Sequence, residues 1–142
     1  MHRILVAFDG SSSSHSALRF ALGLAAHELK AELVLATVGE EPMPYAELSA
    51  YTPREDTIAA ALEACHRAQL SADPILEGSG VHVQRHLRLG ETAPTLVAMA
   101  EALRCDWIIM GTRGMGTLGN LLLGSVANKV VHLTTLPVTL VR

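Results

Sequence analysis

Aromatic residues are scarce in this chain: Phe, Trp and Tyr make up 4% of its 142 residues. A core built largely without them must be aliphatic, and little stacking surface is left for single-stranded nucleic acid. Positive charge is not abundant either. Eleven Lys and Arg stand against fourteen Asp and Glu, a formal net charge of -3, and no cluster of basic residues forms a stripe. Electrostatic capture of DNA, RNA or an anionic membrane is therefore not expected. Any anionic ligand has to be held by local donors. Cysteine is limited to Cys65 and Cys105, which make neither a CxxC pair nor a metal spacing. Two reduced thiols in an intracellular protein are the expectation. No apolar run reaches the roughly 18–20 residues that span a bilayer. Residues 1–8 are too short for a signal peptide and run directly into Asp9, so the expected location is cytoplasmic.

What is present is a rhythm. Hydrophobic residues make 49% of the chain and charged residues 18%, a balance that supports one globular domain over residues 1–142. Ile4 to Phe8 is a short apolar run ending in Asp9–Gly10, as suits a strand buried on both faces. Ser11 to Ser14 offer several helix N-caps, and Ala17, Leu18, Ala21, Leu22, Ala25 and Leu29 recur at helical spacing, with an end near Lys30. Leu33 to Val38 is a second buried strand. Gly39 to Pro53, with Pro42 and Pro44 and several acidic residues, breaks all periodicity and reads as a surface loop. Ile58, Ala61, Leu62, Cys65 and Leu70 mark a second helix, closed by Asp73–Pro74. After the turn Gly78–Ser79–Gly80, the residues Val81, Val83, Leu87 and Leu89 alternate with His82, Gln84, His86 and Arg88. This period of two marks a strand at or near a sheet edge. A helix over about Pro94–Leu103, a buried strand over Trp107–Met110, a helix that Ser125 can cap and that runs to about Leu133, and a strand over Val138–Val141 complete the series. Alternating strands and helices predict an α/β fold, a parallel sheet with helices on both faces and right-handed crossovers.

Open sheets of this class bind ligands outside the carboxyl ends of their strands, where strand order reverses. Two loops carry suitable chemistry. Asp9–Gly10–Ser11 follows the first strand, and Gly111 to Ser125 follows the fourth. The second is rich in glycine, which lets backbone N–H groups approach and converge on an anion. Gly124–Ser125 directly precedes a helix, whose N-terminus favours phosphate, and Arg113 places a cation in the loop. Two familiar motifs fail here. Gly114 to Gly119 spells GxGxxG, but no acidic residue lies about 20 positions on and no second βαβ unit follows. A P-loop needs Lys after its last glycine, where this chain has Asn120 or Ser125. Other clusters read as structure: His82 and His86 as a solvated strand face rather than a metal pair, Cys65–His66 as core plus surface, and Asp9, Ser11 and His15 as triad types without an oxyanion hole.

With these residues in view, the chain resembles the universal stress protein family. The pattern Gly-x2-Gly-x9-Gly-Ser/Thr of its nucleotide-binding members is present as Gly111, Gly114, Gly124 and Ser125. Ile4 to Gly10 is similar to the family's opening strand and aspartate, DWIIMGTRG at 106–114 to its fourth-strand signature, and LPVTLVR at 136–142 to its closing strand. The resemblance implies a single open, doubly wound, five-stranded parallel sheet of order 3-2-1-4-5, usually in a homodimer. It also implies an adenine-nucleotide site: Ala7 and Asp9 near the nucleoside, Val38 against adenine, Met110 beside base or ribose, and Gly111, Gly114, Gly124, Ser125 and Val126 around ribose and phosphates. Arg113 lies within that loop. The implied cofactor is ATP, with or without Mg2+. Thr37 departs from the family, where many relatives carry His, and Trp107 is bulkier than the usual aliphatic residue.

Asp9 is the only candidate carboxylate near the phosphate loop, and its implied place is beside the nucleoside. A regulatory or sensor protein with at most slow ATP hydrolysis is the expectation, working with an unidentified protein partner. Two alternatives stay open. One is an adenine-nucleotide-processing enzyme, although the first loop lacks the SGGxDS pattern such enzymes carry. The other is a nucleotide-free module that dimerises through Val138–Val141.

Overall fold

The computed structural model describes residues 1–27, 30–40, 54–114 and 123–142. Its strands are β1 (His2–Ala7), β2 (Ala31–Gly39), β3 (Val83–Leu89), β4 (Trp107–Gly111) and β5 (Val138–Val141). Its helices are α1 (Ser12–His27), α2 (Arg54–Leu70), α3 (Asp73–Leu76), α4 (Thr92–Ala102) and α5 (Ser125–Leu133). The strands form one parallel sheet in the order β3-β2-β1-β4-β5. The chain winds outward from β1 through β2 to β3, then returns to the other side of β1 for β4 and β5. The switch point lies between β1 and β4.

Apolar runs in β1, β2 and β4 are continuous because these strands are covered on both faces. Leu5, Val34 and Ile108 face α4 and α5, packing with Leu96, Ala100, Ala127 and Val130. Ile4, Val6, Leu33, Leu35 and Ile109 face the other way, onto Ala17, Leu18 and Ala21 of α1. All five residues of that second face are fully buried. Successive side chains of a strand point to opposite faces, so a short apolar sequence serves two cores at once.

β3 is an edge strand and only half-buried, as its alternation predicts. Arg85 falls on the same parity as Val83 and Leu87, in the middle of the apolar set. It donates to the Gln69 carbonyl at 3.1 Å and pairs with Asp73, joining the end of α2 to the start of α3. The buried Gln69 amide reaches the carbonyls of Leu35 and His86. Polar pins of this kind fix α2, which buries little apolar surface of its own.

Of the boundaries that differ from the sequence expectations, three have a local cause. Asp73–Pro74 does not only close α2. It opens the short helix α3, because a proline in a first turn lacks only an N–H that would be unpaired anyway. The third strand begins at Val83 rather than Val81, since Gly78 and Gly80 both take positive φ and extend the turn. Helix α1 is assigned to His27, and Lys30 already accepts a strand-type bond from the His2 N–H. Leu29, most of the expected surface loop (41–53, with Pro42, Pro44 and Pro53) and residues 115–119 of the GxGxxG stretch lie outside the described residues.

At the amino ends of the strands, the Arg3 guanidinium pairs with the buried carboxylate of Glu32 and donates to the Leu103 carbonyl at 2.6 Å. The Arg3 N–H donates to Asp106 at 2.8 Å. Cys105 is buried beside this cluster. Burial pushes its thiol up to about 11, with Asp106 and Glu32 adding to the rise and Arg3 opposing it. Burial also raises Cys65. At pH 8 roughly a thousandth of Cys105 is thiolate, the reactive form. Iodoacetamide is therefore expected to leave Cys105 unmodified in the folded protein and to alkylate it after unfolding in urea. Rapid labelling of the folded protein, read by mass spectrometry, would contradict this account.

Candidate functional site

The first site loop is held by its own carboxylate. The Phe8 N–H continues the sheet by donating to the Ala36 carbonyl at 2.8 Å. Asp9 Oδ1 then accepts the Ser11 N–H at 2.9 Å, a turn in which a side chain replaces a backbone acceptor. Gly10 takes φ +82° within it, a left-handed conformation that favours glycine. Ser11 is the residue that caps α1: its hydroxyl oxygen accepts the Ser14 N–H at 3.3 Å. Asp9 stabilises the turn before the cap, and its second oxygen faces the other loop.

That other loop leaves β4 at Gly111. The Thr112 N–H donates to Val141 at 2.9 Å, and the Gly124 N–H donates to the Thr112 carbonyl at 2.6 Å. The second bond joins the two ends of the loop, bringing Gly124–Ser125 beside Gly111–Gly114. Each glycine stands where an added Cβ would meet a close neighbour. A Cβ on Gly111 would lie 2.8 Å from the Ser13 carbonyl carbon, one on Gly114 2.9 Å from Asp9 Oδ2, and one on Gly124 3.1 Å from the Thr112 carbonyl oxygen. The Ser13 hydroxyl donates to the Arg113 carbonyl, tying α1 to this loop.

Ser125 does not cap α5 as its sequence position suggests. Gly124 is the N-cap, with φ -69° and ψ 160°, and no side chain satisfies the cap. The bond from Gly124 to Thr112 holds Gly124 extended, so Ser125 becomes the first helical residue. Its hydroxyl makes no hydrogen bond among the described residues, and the α5 N-terminus keeps free donors.

All ten residues singled out from the sequence, Ala7, Asp9, Val38, Met110, Gly111, Arg113, Gly114, Gly124, Ser125 and Val126, line one cavity of about 400 Å³. It opens between the two loops at the carboxyl ends of β1 and β4. Ala7, Val38, Met110 and Val126 give it apolar walls. Asp9, Arg113 and Ser125 bring polar groups. The sequence reading missed further lining residues, among them Phe8, Ser14, Ala36, Glu40, Thr92, Leu96, Thr112 and Ala127. Thr92 starts the helix that follows β3, so the rule placing ligands after strand ends was a usable signal for it. Nothing local marked Glu40, which enters because β2 lies beside β1.

His15 forms no catalytic relay with Asp9 and Ser11. Its ring nitrogens face the carbonyls of Ser11 at 2.8 Å and Ser71 at 3.2 Å, while Asp9 holds a backbone N–H. Cys65 is buried and His66 exposed, as core plus surface requires.

Residues 1–142 match the family model described as the universal stress protein family. The chain belongs to this family. It is 32% identical over 151 residues to universal stress protein YxiE of Bacillus subtilis, covering 99% of both chains. Universal stress protein UspA from Lactobacillus plantarum shares its fold with a TM-score of 0.85 at 19% identity, over 99% of this chain and 97% of that one. A universal stress protein from Archaeoglobus fulgidus, solved in complex with dAMP, superposes with a TM-score of 0.66 at 23% identity, over 100% and 98%. The two departures from the family pattern both have structural partners. Thr37 donates its hydroxyl to the Phe8 carbonyl at 2.7 Å and accepts from Gln69 at 3.2 Å. The Trp107 indole donates to the Thr139 hydroxyl at 3.0 Å, between β4 and β5.

The glycine geometry orders the cost of substitution. Gly111→Ala pushes against the backbone of α1 and is expected to destabilise by about 2–3 kcal/mol. Gly114→Ala meets only the end of the Asp9 side chain, which can rotate away, at about 1 kcal/mol. Urea unfolding of the two variants checks this; a larger loss for Gly114→Ala would contradict the packing described.

Proposed function

We propose that this universal stress protein binds an adenine nucleotide, ATP with Mg2+ in the first instance, and acts as a regulatory or sensor module in the stress response. The observation that carries this reading is the convergence of ten sequence-selected residues on one cavity at the switch point. Its chemistry suits a nucleotide. Apolar walls from Val38 and Met110 can take a base. Three closely packed glycines, the uncommitted Ser125 hydroxyl and the start of α5 offer donors to phosphates. The solved relatives in complex with dAMP and with cAMP support the ligand class.

Catalysis has less support. Asp9 and Glu40 are the carboxylates among the described residues that line the cavity, and Asp9 is engaged with the Ser11 N–H. The reading is therefore of a site that holds a nucleotide and turns it over slowly at most. The proposed location is the cytoplasm. β5, the free edge opposite β3, is half-exposed along its length, and unpaired strand edges invite pairing. This favours a homodimer through Val138–Val141 that presents the nucleotide-bound state to a protein partner.

Calorimetric titration with MgATP and with AMP is expected to give dissociation constants well below about 1 mM. Gly124→Val combined with Ser125→Ala is expected to abolish both, because the added side chain fills the approach to Thr112 and a free donor is lost. Absence of binding to the parent protein would sink the nucleotide reading. Light scattering is expected to return the mass of a dimer; a monomer would remove that part.

A further inference from the structure

A second cavity, of about 380 Å³, lies on the far side of the Arg113 loop. It shares Thr112, Arg113 and Gly114 with the first cavity as a common wall. Its remaining lining comes from Ser11, Ser12, Ser13 and Ser16 at the start of α1 and from Arg142 after β5. Arg113 and Arg142 thus border one pocket, and no Asp or Glu is among the described residues that line it. Arg3, Arg67, Arg85 and Lys129 each have a carboxylate partner, whereas Arg113 and Arg142, like Arg19, Arg88 and Arg104, are in no such pair among the described residues. Asp9, the nearest acid in sequence, lines the first cavity instead.

The hydroxyls divide by their commitments. Ser13 donates to the Arg113 carbonyl and Ser16 to the Ser12 carbonyl at 3.2 Å. The Ser12 hydroxyl and the N–H groups of Ser12 and Ser13 have no acceptor among the described residues. Free donors and unpaired cations therefore meet at one place, the chemistry that recognises a tetrahedral oxyanion.

We propose that this second cavity binds a phosphate-class oxyanion, held by Arg142 and Arg113 with the Ser12 hydroxyl. The inference goes beyond the nucleotide reading and does not depend on it. The shared wall allows two sources of the same chemistry: the distal phosphate of a long nucleotide that passes over Gly114, or a separate phosphate. Arg113 borders both cavities, whereas Arg142 borders only the second, so Arg142 is the residue that isolates it.

The test uses inorganic phosphate at constant ionic strength, titrated calorimetrically into the protein saturated with AMP. Binding is expected, and about tenfold weaker in Arg142→Gln, the size of one charge-assisted hydrogen bond. Arg142→Lys should recover part of it, and AMP affinity should be the same in all three proteins. Phosphate affinity unchanged in Arg142→Gln, or no phosphate binding by the parent protein at about 10 mM, overturns the proposal. If AMP does not bind, the same titration is run on the ligand-free protein. Phosphate binding sensitive to Arg142 then upholds this site while the nucleotide reading falls. An ATP titration separates the sources. Weaker ATP binding by Arg142→Gln with AMP unaffected identifies the distal phosphate of the nucleotide, and equal ATP binding identifies a separate phosphate.

Discussion

Everything at the site depends on the contact between Ser13 and Gly111. The first turn of α1 lies so close to the end of β4 that a single methyl group on residue 111 would meet Ser13 backbone. This approach exists because β1 and β4 are neighbours in the sheet. It sets the distance between the two loops and therefore the width of the cavity between them. Ser13 then fixes the Arg113 carbonyl, and Gly114 falls opposite Asp9. A wider gap would leave Asp9 and Gly114 as two unrelated surface residues.

The rest of the molecule supports that approach from both sides. The two aliphatic cores clamp β1 and β4 between α1 on one face and α4 with α5 on the other. Interiors of this density transmit displacement rather than absorb it. From the direction of β3, Gln69 and Thr37 carry hydrogen bonds across β2 to the Phe8 carbonyl, one residue before Asp9. From the direction of β5, Val141 holds Thr112. The two flanks of the cavity are thus tied to the two edges of the sheet. Binding at a β5 edge has a direct covalent and hydrogen-bonded route to Thr112.

The same loop that separates the two cavities also joins them. Thr112, Arg113 and Gly114 face one on each side. Ser13 holds this segment from α1 through the Arg113 carbonyl, so a shift of the segment toward one cavity withdraws it from the other. A ligand in either place acts on a shared backbone.

The amino-acid sequence alone determined the class of fold and nearly every element, and with the family resemblance it named ten of the residues that line the cavity. Strong periodicities do this: short apolar runs between helical repeats, and glycines at a spacing that few other functions require. Local chemistry also marked Gly78–Ser79–Gly80 as a turn. The resemblance of Gly111, Gly114, Gly124 and Ser125 to a family pattern then indicated the strand order, which periodicity cannot, because it is blind to which strands are neighbours. Folding in three dimensions settled what depends on distance. It made Gly124 rather than Ser125 the helix cap, through a bond from Gly124 to Thr112. It turned Arg85, an interruption in an apolar alternation, into a pin between two helices. It brought Glu40 and Thr92 to the first cavity, and Arg142 to a second that no motif announced. In each case the deciding contact joins residues far apart in the chain, and a one-dimensional pattern carries no information about that proximity.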